Sequence, residues 1–255
     1  MAEQTAPLVE AVTGLALPDT VVIRTMPVRR WRAAHRRRGA RLLRAEAREL
    51  RPPRGSRRAA KVTHAADRTN LRRIWPLIGA QTVAFRPQRP ELVILPQALR
   101  EAGFLDDERV LCKVVGHEMT HLAQHAADDG EMWKRQDTFY PGLRGTADRD
   151  YAFLVEGHAY WADRQITTKL LGEPVSTGEI SPHATLRYRD LAEPLRRAGD
   201  LTSFTAAADA VGEIVAAQGL EAFNRVWRCP ELVPTRDEAK EPARWTHRFA
   251  QRSLA

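Results

Sequence analysis

The stretch VVGHEMTHLAQH, residues 114–125, limits what this chain can be more than any other. It contains His-Glu-x-x-His, as His117, Glu118 and His121. Around it Val110, Leu111, Val114, Val115, Met119 and Leu122 recur at helical spacing, and acidic residues open the segment, so one long helix is predicted. A helix turns ~100° per residue, which puts the two imidazoles ~40° apart on one face and one turn apart along the axis. Two imidazoles so placed can grip one ion at the ~2.0–2.1 Å that zinc requires. Glu118 falls on the next stripe, beside such an ion rather than on it, where a base for an attacking water belongs.

A zinc that does chemistry usually takes three protein ligands and keeps one position open. One extended pattern supplies a His six residues after the second, preceded by a Gly; here those positions are Ala127 and Gln124. His125 lies one more turn along the helix, too far to share the ion, and is expected at the surface or in a supporting role. Glu156, in LVEGHAYWADR, is the better third ligand, because an acidic residue in an otherwise apolar helical stretch needs a reason to be buried. Gly157 and Ala159 beside it would let two helices approach closely with the metal between them. His158 is the rival ligand and points away from Glu156. Tyr160 and Asp163 share the Glu156 face at i+4 and i+7. Asp163 is the candidate acceptor for the second N–H of a ligating histidine, with a surface ion pair as its alternative. Tyr140, Tyr151, Tyr160, His158 and His183 are all candidate donors to a developing oxyanion.

The rest of the chain places this constellation. TVVIRTMP (20–27) reads as a strand and residues 29–50 as a basic helix. LRPPRGSRRAAK (50–61) reads as a loop. QTVAFRP and ELVILP read as a hairpin, with ELVILP either the sheet edge that an extended substrate would pair with or an inner strand. Residues 128–148 read as a loop, about 149–171 as a second long helix, and the remainder as mostly helical with an ordered, Pro-punctuated tail. The expected class is α+β, mostly helical, with a small antiparallel-rich sheet. At 255 residues the chain suits two lobes of one catalytic unit: 1–127, ending in the His-Glu-x-x-His helix, and 128–255, carrying Glu156.

Composition narrows the partners. No apolar run approaches the ~18 residues that span a bilayer, so no membrane is expected. The first twenty residues lack the basic start of a secretory signal. Cys112 and Cys229 form neither a disulfide framework nor a metal knuckle, which points to a reducing, cytoplasmic setting. The net charge of +8 is uneven: residues 24–73 hold 17 Arg and Lys61 against Glu46, Glu49 and Asp67, a local +15, which leaves the remainder at −7. This segment could follow nucleic acid or an acidic partner. A solvated helix face is favoured, because no groove-reading motif accompanies the charge.

GHEMTHLAQ, then LVEGHAYWAD, then GLEAFNRVWRCPELVPTRDEAKEPARW resemble the gluzincins, zincin peptidases with His-Glu-x-x-His on one helix and a glutamate on a later one. The narrower resemblance is to the zincin-like bacterial DUF2342 family, often labelled zinc-dependent metalloproteases, and it spans about residues 90–250. It implies a zincin-like fold, one Zn2+ per chain on His117, His121 and Glu156, Glu118 as base, and a peptide or protein substrate. Two departures stand out. Thermolysin-type gluzincins carry Asp four residues after the ligand Glu, where this chain has Tyr160, and the Arg-rich segment 29–73 has no match. The reading is a zinc metallopeptidase-like hydrolase. Its alternatives are a zinc-dependent amide hydrolase or tailoring enzyme on a small molecule, and a structural-zinc protein that binds through its basic segment.

Overall fold

The His-Glu-x-x-His segment is one helix, α5 (Glu108–Ala127), and the rest of the molecule is layered around it. The structure is a computed structural model and describes residues 1–198 and 200–253. It is mostly helical with one small sheet, as expected of the α+β class. Asp107 starts α5: its carboxylate accepts from the main-chain N–H groups of Arg109 and Val110, both at 3.0 Å. That satisfies two of the four donors a helix start leaves free, with the negative charge at the favourable end of the dipole.

Three layers pack on α5. On one side lies α1 (Ala2–Thr13), and on another α8 (Tyr151–Leu171), the predicted second long helix. The third is the sheet, β1 (Ile23–Thr25), β2 (Ala80–Arg86) and β3 (Arg89–Ile94), in the order β1-β3-β2. The close approach of α5 to α8 uses Gly116, where a Cβ would meet Ile166 Cγ2 at 3.4 Å. Gly157 serves a different contact from the one expected: a Cβ there would sit 2.6 Å from the Cβ of Ala207 on α10 (Asp200–Gln218). The reason is the ~100° step, which turns the residue after Glu156 away from α5 and toward the next helix.

The main core runs from α1 through α5 and α8 to α10 and the C-terminal elements, with Val9, Leu154, Ile166, Phe223, Trp245 and Phe249 inaccessible to solvent. Each large apolar side chain buried there is worth about 1.5–3 kcal/mol. The tail is ordered by polar contacts as well. Trp245 Nε1 donates to the Leu232 carbonyl at 2.9 Å. Thr235 and Glu238 form a reciprocal cap on α12 (Arg236–Lys240), and Arg248 of α13 (Pro242–Ser253) holds Glu238 at 2.6 Å.

The sheet is mixed. β2 and β3 form the expected antiparallel hairpin, but β1 runs parallel to β3 on its other side, with Ile23, Arg24 and Thr25 opposite Leu92, Val93 and Ile94. ELVILP is therefore the inner strand, the second of its two expected places, and not the sheet edge. Consistent with that place, Glu91, Leu92 and Val93 are buried in succession. The edge beside α5 is β2, where Thr82 Oγ1 donates to the Glu118 carbonyl at 2.7 Å.

Two expected loops contain helices. After the basic helix α2 (Val28–Glu49), only residues 50–53 are irregular, and α3 (Arg54–Ile74) follows directly. Pro52 and Pro53 end α2, yet a proline just before a helix costs nothing, since the first turn has no use for its missing N–H. Residues 128–148 contain α6 (Glu131–Gln136) and α7 (Pro141–Arg144). Asp128 accepts from the N–H groups of Gly130 and Met132, and Gly130 has φ +79°. Helices of six and four residues are too short to show an apolar period. Arg144 fastens this region to α2 through Glu46 at 2.8 Å and Glu49 at 2.9 Å.

The remaining α-helices among the described residues are α4 (Pro96–Ala102), α9 (Leu186–Ala198) and α11 (Leu220–Asn224). Among the described residues no helix is long and apolar enough to cross a membrane. Cys112 and Cys229 are free thiols.

Candidate metal centre

Helix α5 supplies two imidazoles and α8 one carboxylate to a single point. His117 Nε2 and His121 Nε2 lie 3.2 Å apart. Glu156 Oε2 is 3.4 Å from the first nitrogen, and its Oε1 is 3.7 Å from the second. Three ligands on a tetrahedral zinc at ~2.05 Å stand roughly 3.3 Å from one another. The separations match that shell.

The hydrogen bonds behind the rings strengthen the fit. His117 Nδ1 faces Asp163 Oδ2 at 3.0 Å, and His121 Nδ1 faces Gln124 Oε1 at 2.8 Å. Both partners are acceptors, so each ring in its neutral form carries its proton on Nδ1 and turns the Nε2 lone pair inward. Two lone pairs 3.2 Å apart, with a carboxylate beside them, repel unless a cation or a proton lies between. A proton competes for that place: burial opposes charge on His117, but Asp163 and Glu156 outweigh it and raise its pKa to about 10, so a metal ion binds there in exchange for that proton. Burial likewise opposes the Glu156 carboxylate, and His121, His117 and Lys113 nevertheless hold it at about 2. The residues present suit a divalent ion of the zinc type: two nitrogens, one oxygen, and a polar partner behind each ring.

Glu118 is nearly enclosed, at 7% exposed, and lines the same cleft as the three converging groups, beside residues 79–83 of the sheet edge. The cleft has a volume of about 400 Å3. Glu118 Oε2 is buried and has no hydrogen-bond partner. A buried carboxylate oxygen without a partner costs free energy, and active sites are where such groups are kept.

The other sequence candidates separate cleanly. Asp163 is fully buried and accepts from Lys113 Nζ at 2.6 Å as well as from His117. Tyr160 stands edge-on to the His117 ring at 4.8 Å and lines the cleft, with Lys113 Nζ over its face. Burial and the nearby carboxylates push its phenol pKa well up, so it is a neutral donor. His158 points the other way, stacked on Trp161 and Phe223 at 5.7 and 5.3 Å. Burial there drops its pKa to about 3, and its Nδ1 accepts from Gln124. Tyr151 lines a different hollow, His183 packs on Gly103, and Tyr140 precedes α7. His125 packs against Gly130 and Trp133, away from the three converging groups.

Two residues escaped the sequence reading. Gln124 bridges His121 to His158 and to the Val155 carbonyl, and Lys113 braces Asp163. Each carried a weak signal: Gln124 is three residues after His121 and Lys113 four before His117, on the metal face of α5. Replacing Gln124 with Ala removes the acceptor that orients His121. We expect zinc affinity to fall about 10–100-fold, read by competition with a zinc-chelating dye. Unchanged affinity would show that the ring is held by packing alone.

Residues 200–246 match the profile of a family described as zincin-like metallopeptidase. That match covers α10 to α13 and lies after all three converging groups. A solved structure from Chloroflexus aurantiacus, described as a candidate hydrolase with a novel fold, aligns with 98% of this chain and 87% of that one at TM-score 0.62 and 20% identity. At that identity the likeness is one of fold. No curated protein matches the chain.

Proposed function

We propose that this protein is a zinc-dependent hydrolase, and specifically a metallopeptidase, in which His117, His121 and Glu156 hold one Zn2+ and Glu118 is the general base. One observation carries the reading: three ligand atoms at zinc-shell separations, with the unpartnered Glu118 carboxylate beside them in an open cleft. The zincin-like match and the hydrolase description of the structural neighbour support the same chemistry.

Zinc held there supplies Lewis acidity, polarising a carbonyl and bringing the pKa of water toward neutrality. Glu118 takes the proton of the attacking water at its free oxygen and delivers it to the leaving amine. Tyr160 is the cleft-lining phenol placed to donate to the developing oxyanion. Asp163 and Gln124 keep the two rings in the tautomer that faces inward. The substrate lies extended along residues 80–83 of β2, because farther along that strand Arg38 and Arg41 already cover the carbonyls of Ala84 and Phe85. Residues 1–127 and 128–255 act as two lobes of one unit, the first giving α5 and β2, the second α8.

The test is metal content by mass spectrometry on protein purified without chelator or added metal, followed by digestion of a mixed peptide library. About one zinc per chain is expected, with cleavage that a chelator stops and zinc restores. Zinc-loaded protein that leaves every peptide intact would overturn the peptidase reading.

A further inference from the structure

The densest positive charge in the chain is folded into a concavity. α2 and α3 pack side by side, and at their contact Gly39 admits the ring of His64: a Cβ at Gly39 would lie 2.6 Å from His64 Cε1. A groove of about 490 Å3 opens there. Arg29, Arg32 and Arg36 line one wall, spaced i, i+3 and i+7 on α2, and Arg68 and Arg72 line the other, spaced i and i+4 on α3. None of these five guanidinium groups has an acidic partner among the described residues. Two acids line the groove, Asp67 and Asp137, and Asp137 is already paired with Arg38. His35 adds no charge, since burial and then Arg38 lower its pKa to about 4.

The groove is continuous with the metal cleft: Arg38, Gln136 and Asp137 line both. We propose that it binds an acidic stretch of the polypeptide substrate and leads it toward the zinc site. Unpaired arginines crowded on facing walls repel one another, and carboxylates between them relieve that repulsion through forked hydrogen bonds. The floor, with Leu42, Leu71 and Phe139, accepts the aliphatic part of a chain. A polypeptide is favoured over single-stranded nucleic acid because strand binding relies on aromatic faces open for base stacking. The aromatic ring in this groove, Phe139, is engaged edge-to-face with His64 at 5.8 Å.

This assignment rests on the hydrolase reading, but its test does not depend on turnover. The probe is a fluorescently labelled oligoglutamate of about ten residues, and the readout is its anisotropy with the full zinc-loaded chain. Saturable binding that weakens steeply with salt is expected. Arg32→Gln, Arg36→Gln and Arg68→Gln together should weaken it at least about tenfold. Arg30→Gln, Arg37→Gln and Arg44→Gln remove the same charge outside the groove and should change it less than about twofold. If the groove triple variant does not fold, Arg36→Gln with Arg72→Gln, both on exposed residues, replaces it with the same expected direction. Equal effects of the two triple variants would reduce the binding to net charge and overturn the proposal. So would a single-stranded oligonucleotide of equal charge that binds the groove more tightly than the peptide. His117→Ala separates the two readings: peptide binding survives loss of zinc if the groove is an independent subsite, whereas failure of the hydrolase reading appears as absent zinc or absent cleavage with peptide binding intact.

Discussion

Glu118→Gln protein is expected to carry one zinc per chain and to hydrolyse peptide at least about 10²-fold more slowly than wild type, the range that general-base catalysis contributes. The substitution is nearly isosteric, so the packing around a side chain only 7% exposed is preserved. The helix keeps its contact with the sheet, because Thr82 bonds to the Glu118 main-chain carbonyl and not to its side chain. What disappears is the proton acceptor: an amide cannot take the proton from water. Because Glu118 Oε2 has no hydrogen-bond partner, no protein contact is broken in the exchange. Removing an unsatisfied buried carboxylate should leave the unfolding midpoint equal to or above that of wild type. The decisive pair of measurements is zinc content and kcat on the same preparation. Full activity would sink the proposed mechanism, and loss of zinc would make Glu118 a ligand instead of a base.

The second large effect separates two neighbours on one helix. Glu156→Ala should lose zinc affinity by more than about 100-fold, since removing a ligand must cost more than removing a partner behind one. His158→Ala should keep stoichiometric zinc and lose stability, by about 2–4 kcal/mol, because it empties a cavity among Trp161, Phe223 and Trp227. The two residues are two positions apart, which turns their side chains ~200° from each other around the helix. Glu156 turns to α5, whereas His158 turns to the C-terminal core. Metal content and thermal unfolding of both variants, measured side by side, should therefore move in opposite patterns. Equal zinc content in the two would remove Glu156 from the site.

How much of this was legible without coordinates depends on how local the deciding interaction is. The geometry of His117, Glu118 and His121 follows from helical pitch within five residues. The strand at 23–25, the β2 and β3 hairpin, and helices α2, α5 and α8 follow from periodicity, turn residues and β-branched runs. Glu156 stood out as an acid in an apolar stretch. Misreadings arose where one local signal serves two purposes. Pro52 and Pro53 mark the end of one helix, and they also begin another. Gly157 marks a close helix contact, but only the tertiary arrangement shows that the contact is Ala207 of α10 and not α5.

Other features had no local signal at all. The inner position of β3 depends on β1, some seventy residues earlier, arriving on its far side. The roles of Gln124 and Lys113 depend on where α8 places Val155, His158 and Asp163. The basic groove depends on how α2 and α3 pair, which brings Arg29, Arg32 and Arg36 opposite Arg68 and Arg72. By itself, then, the amino-acid order determined the long helices α2, α5 and α8, the hairpin and the chemical identity of the candidate metal ligands, because backbone preferences and helical spacing act over a few residues. Which faces meet, which strand is the edge and what stands behind each imidazole were decided only by the tertiary structure, because burial of apolar surface selects partners without regard to their distance along the chain.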